Sequence, residues 1–364
     1  REQVGSYEAR SLAERMLAIG TLKVRAARML ESVYEARDEI RDLVRVLEIR
    51  LEGLEGEPAE VEAARRELIR RIAHLRDDRL HDDEGALESF AQLVPLVPED
   101  TDARNRLMEI GRRLGAHPRV ARVLSQAADA ADTPALRGEI LMDVARIYEE
   151  LVGDRPEAER VYRRVLDIDR SDQSLALPAA RALERIYLGN GDNPRLAEIL
   201  RAQVALEDAD SVRSTLLGRL GELSERELLD NDGAIGAWQK RLELDADDAD
   251  ALSALDRLYE KTERFRDLVE TLGKRREISN DFELRRSLLQ RASSTLWKKL
   301  SSIPEAIDSH QQFLAEYGPD GDTLRSLEAL FETSERWDDL AETYERHIDA
   351  ASGDTERLEL LAKL

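Results

Sequence analysis

A helix–turn–helix phrase that returns at a nearly fixed interval constrains this chain more than any other feature. Residues 255–272, LDRLYEKTERFRDLVETL, place Leu255 four residues before a ring, Tyr259, and a further apolar contact, Leu268, nine residues after it. Positions four apart share one face of a helix, so the phrase reads as one helix, a tight turn and the start of another. Aligned on the ring, it recurs at Tyr34, Tyr187, Tyr259 and Phe331, with Gly111 in the ring's place in the second copy, at intervals of 77, 76, 72 and 72 residues. The leading leucines are Leu30, Leu107, Leu183, Leu255 and Leu327, and the second-helix contacts are Leu43, Val120, Leu196, Leu268 and Leu340. Such a chain folds by stacking its units, because no unit buries its apolar face alone.

A second marker lies between these copies: Ala86 with Phe90, Ala158 with Tyr162, Ala234 with Trp238 and Ala306 with His310. A small residue lets two helices approach and a bulky one a turn later fills the next gap, which is the packing logic of another hairpin. Each long unit is therefore two hairpins, and the chain is predicted to hold about twenty helices in all. Pro156 and Pro304 stand two residues before Ala158 and Ala306, where a first-turn proline loses no hydrogen bond. Thr133 before Pro134 and the acidic turns PEDTDA, DADDADA and GPDGDT supply capping oxygens between units. Pro95 falls near the end of the helix begun at Ala86 and is expected to shorten or kink it.

The prediction is an all-α solenoid, a superhelix of stacked antiparallel helix pairs, running as one continuous array over residues 1–364. Its units are residues 1–20 (partial), 21–100, 101–173, 174–247, 248–319 and 320–364 (partial). Both ends cut through a unit, and the chain opens on Arg1, so a piece of something longer is expected.

Composition narrows the function classes. Acidic residues outnumber basic ones 77 to 55, giving a formal net charge of −22, a field that repels nucleic-acid phosphates and anionic lipid surfaces. No apolar run approaches the ~18 residues of a membrane span. The absence of cysteine removes disulfide frameworks, Cys-based zinc sites and thiol nucleophiles, and leaves the compartment open with a cytoplasmic setting slightly favoured. Arginine dominates lysine, which points to a GC-rich bacterial source.

The repeated hairpins resemble the tetratricopeptide repeat superfamily, best at Ala86, Phe90, Leu93 and Pro98 and at Leu255 with Tyr259. The resemblance covers nearly the whole chain, with two departures. The hairpins run to ~36–38 residues where the family has about 34, and Glu184, Asp256 and Glu328 stand after the leading leucine where the family has a small residue. Related solenoids with longer hairpins, half-a-tetratricopeptide or suppressor-of-forked-like, fit the same pattern. The resemblance implies a right-handed superhelix that binds peptides or proteins on the face lined by the first helix of each pair. Carried onto this sequence, the family's inward positions, two and six residues before the ring, include Arg28, Arg181, Arg185, Arg257 and Arg325. Arginines along a groove can fork onto the carboxylates of an acidic or C-terminal peptide; the competing reading is that they bridge to acids on neighbouring helices.

Other candidates for chemistry are sparse. His74, Asp77, Asp78 and His81 share a helical face with metal-ligand spacing, yet read as a solvated helix end running into an acidic turn. The run Asp245, Asp247, Asp248, Asp250 lacks the glycine and glutamate of a calcium loop, having Asp250 and Asp256 at those places, and reads as a helix start. A basic stretch from Lys274 to Lys299 is expected to pair with acids of adjacent helices. No nucleophile elbow or phosphate-cradling loop is present. The functional reading is a non-enzymatic protein-interaction scaffold, without metal or cofactor, that takes protein or peptide partners, self-association included, and neither binds nucleic acid nor inserts in a membrane. The alternatives are a structural or self-assembling part of a large complex, and a sensor or adaptor segment attached to an effector domain outside the fragment.

Overall fold

The structure is a computed structural model that describes residues 2–168, 173–351 and 353–364. Among the described residues it contains twenty α-helices and no strand, an all-α solenoid of stacked helix pairs. The expected unit edge at residue 173 adjoins residues 169–172, which lie outside those described. The chain groups into two compact units, Arg1–Asn190 and Gly191–Leu364.

The first unit contains α1 (Glu2–Met16), α2 (Lys23–Ala36), α3 (Ile40–Glu52), α4 (Pro58–His74), α5 (Asp83–Leu93), α6 (Thr101–Leu114), α7 (His117–Ala130), α8 (Pro134–Arg146), α9 (Arg155–Ile168) and α10 (Gln173–Asn190). The second contains α11 (Asn193–Leu206), α12 (Asp210–Arg226), α13 (Asn231–Leu244), α14 (Ala249–Lys261), α15 (Phe265–Ile278), α16 (Phe282–Lys298), α17 (Ile303–Tyr317), α18 (Gly321–Thr333), α19 (Trp337–Ala350) and α20 (Asp354–Leu361). Within each unit a helix packs chiefly on those before and after it in the chain. Even-numbered helices from α2 to α18 are the first members of the hairpins and odd-numbered ones the second.

The repeated columns form the core. Leu30, Leu107, Leu183, Leu255 and Leu327 are all buried, as are the four rings and the four marker alanines. Gly111 stands in the ring column because Val120 fills that place: a Cβ on Gly111 would lie 2.2 Å from Val120 Cγ2. Pro156 and Pro304 are the second residues of α9 and α17, and α5 stops at Leu93, passing into a 3-10 turn, Val94–Leu96, around Pro95.

Two turn types alternate, both with a left-handed residue. In the first hairpins it is Asp38, Gly115, Gly191, Glu263 or Glu335, four residues after the ring column. Amide-to-carbonyl bonds from Glu39 to Tyr34, Ala116 to Gly111, Arg264 to Tyr259 and Arg336 to Phe331 close four of these turns at 2.8–2.9 Å, the six-to-one bond of a Schellman cap. In the second hairpins the left-handed residue is His81, Gly153, Leu229 or Ser301. There the closing bond spans one residue more, as from Asp82 to Arg76 and Asp230 to Ser224, and the chain widens into π turns at Leu75–Leu80 and Ile147–Val152.

Of the acids that follow the leading leucine, Asp256 and Glu328 are buried and Glu31 half-buried, and all three are clamped by a base. Asp256 on α14 receives Arg275 from α15 and both Nη atoms of Arg291 from α16 (2.9 and 3.0 Å). Glu31 on α2 receives Arg50 from α3 and Arg71 from α4 (2.5 Å). Glu328 on α18 meets Nδ1 of His347 on α19 at 2.5 Å. The copy with Met108 in the acid column has Ala127 in the base column, and the copy with Glu184 has Gln203 there. An ion pair thus fills the crossing that a small residue fills by close approach. The arginines of the basic stretch pair in part as expected, Arg276 with Glu316, Arg286 with Asp320 and Arg291 with Glu260 as well as Asp256.

Candidate functional site

Three columns of the repeat meet where a second hairpin is followed by the next first helix. Tyr162 on α9 donates its hydroxyl to Glu149 (2.7 Å), and Glu149 accepts from Arg185 on α10 at 3.2 and 3.3 Å. Burial, with this carboxylate alongside, pushes the Tyr162 phenol well above its ordinary value. The same columns in the next copy hold Trp238, Glu225 and Arg257. Here the guanidinium forks onto Glu225 at 3.1 and 2.7 Å and holds its carboxyl below the usual range. In the earlier copy they hold Phe90, Asp77 and Glu109, and buried Asp77 takes guanidiniums from Arg106 (3.2 Å) and Arg113 (2.8 Å). Each of these three copies thus carries a large ring beside an acid neutralised by arginine.

The fourth copy breaks all three columns at once, holding His310, Trp297 and Ala329. The ring has become a smaller imidazole, the acid an indole and the arginine a methyl group. A cleft of about 400 Å³ opens there between α16, α17 and α18, lined by Ser294, Trp297 and Lys298, by His310, and by Arg325 and Ser326. His310 is 5% exposed, and its Nε2 is buried with no hydrogen-bond partner among the described residues. Burial, reinforced by Lys298, pushes the imidazole pKa down to about 4, so it is neutral at pH 7. Lys298 has no ion-pair partner among the described residues, and its Nζ lies 5.8 Å from the Trp297 ring centroid.

The five arginines that the resemblance picked out all lie on first helices. Three are engaged: Arg185 with Glu149, Arg257 with Glu225, and Arg325 with Asp322 (2.5 Å) and Glu356 (3.6 Å). Arg28 is exposed on α2 with no ion-pair partner among the described residues. Arg181 lies one turn before Arg185 on α10 and also has an interaction partner. The structure places Arg28, Arg181 and Arg185 in the first unit and Arg257 and Arg325 in the second. Of the five, Arg325 alone is on the wall of the cleft.

The histidine–aspartate group at 74–81 is a helix end with Asp78 and His81 exposed, as expected, but Asp77 is not solvated. Asp77 is buried in its arginine clamp, His74 packs edge-on against Phe90 with centroids 5.5 Å apart, and His81 is the left-handed turn residue. Among the described residues no group of three or more histidine, aspartate or glutamate side chains converges as a metal site would. Among the described residues no helix is long and apolar enough to cross a membrane. The cleft escaped the sequence reading, although its signal was present: the column Asp77, Glu149, Glu225, Trp297 changes character only at its last member.

A tetratricopeptide repeat family model matches residues 141–176 and 323–358. The first segment falls mostly on the second hairpin α8–α9 and the other on the first hairpin α18–α19, so both halves of the long unit carry the repeat. No curated protein matches the chain. Among solved structures it is similar to the P58(IPK) TPR domain, with 14% identity over 94% of this chain and 97% of that one and a TM-score of 0.24. It is also similar to MamA, with 21% identity over 50% and 96% and a TM-score of 0.28. The structure of Naa15/Naa10 bound to HypK-THB aligns at 13% identity over 99% of this chain and 60% of that one, with a TM-score of 0.31.

Proposed function

We propose that this chain, built of tetratricopeptide-like hairpins, is a non-enzymatic scaffold that binds peptide or protein partners along the side lined by its first helices, acting as one continuous array. Tetratricopeptide repeats generally serve as protein-interaction scaffolds, and the observation that carries the reading here is the cleft between α16 and α18, open and edged with hydrogen-bonding groups, with Arg325 on its wall. Arg28, Arg181, Arg185, Arg257 and Arg325 are the proposed cationic contacts. At Arg185, Arg257 and Arg325 a partner's carboxylate competes with Glu149, Glu225 and Asp322 for the guanidinium. Such an exchange keeps affinity modest and selects carboxylates that arrive in fork geometry. The buried pairs Glu328–His347 and Asp256–Arg275 are spent on helix crossings, which supports binding over catalysis as the role of the chain.

The test is hydrogen exchange on a native complex whose partner has been identified by cross-linking. Partner binding is expected to protect α14, α16 and α18, and the double variant Arg257→Ala/Arg325→Ala to weaken it at least about ten-fold with helix content unchanged. Protection confined to α13, α15 and α17 would sink the proposal.

A further inference from the structure

We propose that the cleft between α16, α17 and α18 seats a tyrosine side chain presented by a protein partner. The inference rests on the interaction reading above and names the group that this part of the surface takes. The other copies place a large buried ring of the second helix, Phe90, Tyr162 or Trp238, at the position of His310, with a polar residue of the preceding first helix at the position of Trp297. Tyr162 also shows the hydroxyl in use, donating to Glu149 at 2.7 Å. In the fourth copy the smaller imidazole of His310 and the indole of Trp297 stand in those places and line an open cleft.

What remains is matched to a phenol. The indole of Trp297 forms an aromatic wall, and a second ring packs against such a wall by stacking or edge contact. The unpaired ammonium of Lys298 beside it is attracted to the negative face of a guest ring. The chain uses that contact on its own rings, with Arg264 over Tyr259 at 5.1 Å and Arg336 over Phe331 at 4.9 Å. His310, neutral at pH 7, has a buried Nε2 without a partner, and a phenol O–H supplies one. Ser294 and Ser326 add hydroxyls on the walls. A phenylalanine would leave Nε2 unpaired, and a lone carboxylate would leave the indole wall and most of the volume unfilled.

The probes are N-acetyltyrosinamide, N-acetylphenylalaninamide and N-acetylglutamate, added to the full chain while the indole N–H signals of Trp238, Trp297 and Trp337 are followed by NMR. The tyrosine probe is expected to shift Trp297 saturably in the millimolar range and leave the other two in place. The phenylalanine probe is expected to bind at least about five-fold more weakly, and the glutamate probe to leave Trp297 unmoved. His310→Phe, which restores the ring column, should abolish the shift by filling the cleft. Ser326→Leu on the wall should weaken it and serves as the check if His310→Phe disturbs folding. The proposal is overturned if the folded wild type shows no saturable Trp297 shift, if glutamate matches tyrosine, or if both variants bind undiminished. Should the tyrosine probe seat while an identified partner protects only second helices, the cleft assignment holds and the scaffold reading falls. Should the partner protect the first helices while the probe ignores the cleft, this inference alone falls.

Discussion

At the scale of single residues, charge in this protein is chiefly a packing material. Glu31, Asp256 and Glu328 are carboxylates set into helix crossings and held by Arg50, Arg275 and His347 from the next helix. A buried carboxylate is tolerated only while its partner is present, so His347→Ala is expected to cost roughly 3 kcal/mol. The double variant Glu328→Met/His347→Ala installs the chemistry already found at Met108 and Ala127, and should be more stable than the single one. Denaturant unfolding of the two variants checks this; a double variant less stable than His347→Ala would show that the pair is not a unit. His310 gives a pH signature of opposite origin. Its folded pKa of about 4 lies below the ordinary value of 6.5, so folding favours the neutral ring. That contribution is complete above about 6.5, declines as pH falls from there toward about 4, and declines no further below, with an upper limit near 3 kcal/mol at ~1.4 kcal/mol per pH unit. His310→Phe should remove this slope, and the difference between wild-type and variant stability between pH 4 and 7 isolates it from the other titrating groups.

The element scale is set by the turns. Nine left-handed residues in two periodic series reverse the chain, and only Gly115, Gly153 and Gly191 announce themselves in the sequence as residues suited to that conformation. Asp38, His81, Leu229, Glu263, Ser301 and Glu335 adopt it because the closing amide–carbonyl bond and the packing of the two helices fix the turn geometry whichever residue occupies it. This explains an asymmetry in what could be read beforehand. Helix starts were legible from proline and acidic caps such as Asp100, Asp248 and Asp320, each accepting from an amide three residues on. Helix ends were not, because their signal is backbone geometry imposed from outside. Leu229 is a hydrophobic member of the series, largely exposed at φ 54° and so with little packing to offset the left-handed penalty. Leu229→Gly is therefore expected to raise stability by about 1 kcal/mol, the penalty of a left-handed non-glycine residue less the entropy glycine adds to the unfolded chain. Thermal unfolding reads this directly, and a lower midpoint would mean that the Leu229 side chain makes a contact worth more than the strain.

For the whole molecule, periodicity identified the solenoid because every copy must present the same apolar columns to its neighbours, whereas a binding site is where copies differ. Leu30, Leu107, Leu183, Leu255 and Leu327 could be aligned from spacing alone, but His310 and Trp297 become a site only when two columns from different helices are seen to change at one place. The arginine column illustrates the same limit, since spacing placed Arg257 on the first-helix side yet could not show that Glu225 already holds it. A stack stabilised by neighbours also has a distinctive response to damage. Leu255 is buried in a cluster with Trp238, Tyr259, Leu268, Leu272 and Leu288, contributed by α13 to α16. Leu327 belongs to a separate cluster with Leu296, Ala306, Phe331 and Leu340. Leu255→Ala should cost ~2–5 kcal/mol, by lost burial and a residual cavity. Because coupling in a repeat array runs from neighbour to neighbour, amide exchange should accelerate first in α13 to α16 and less in α18 and α19. If α18 and α19 accelerate as much as α14, the second unit unfolds as one cooperative body and the layer-by-layer account of its stability is wrong.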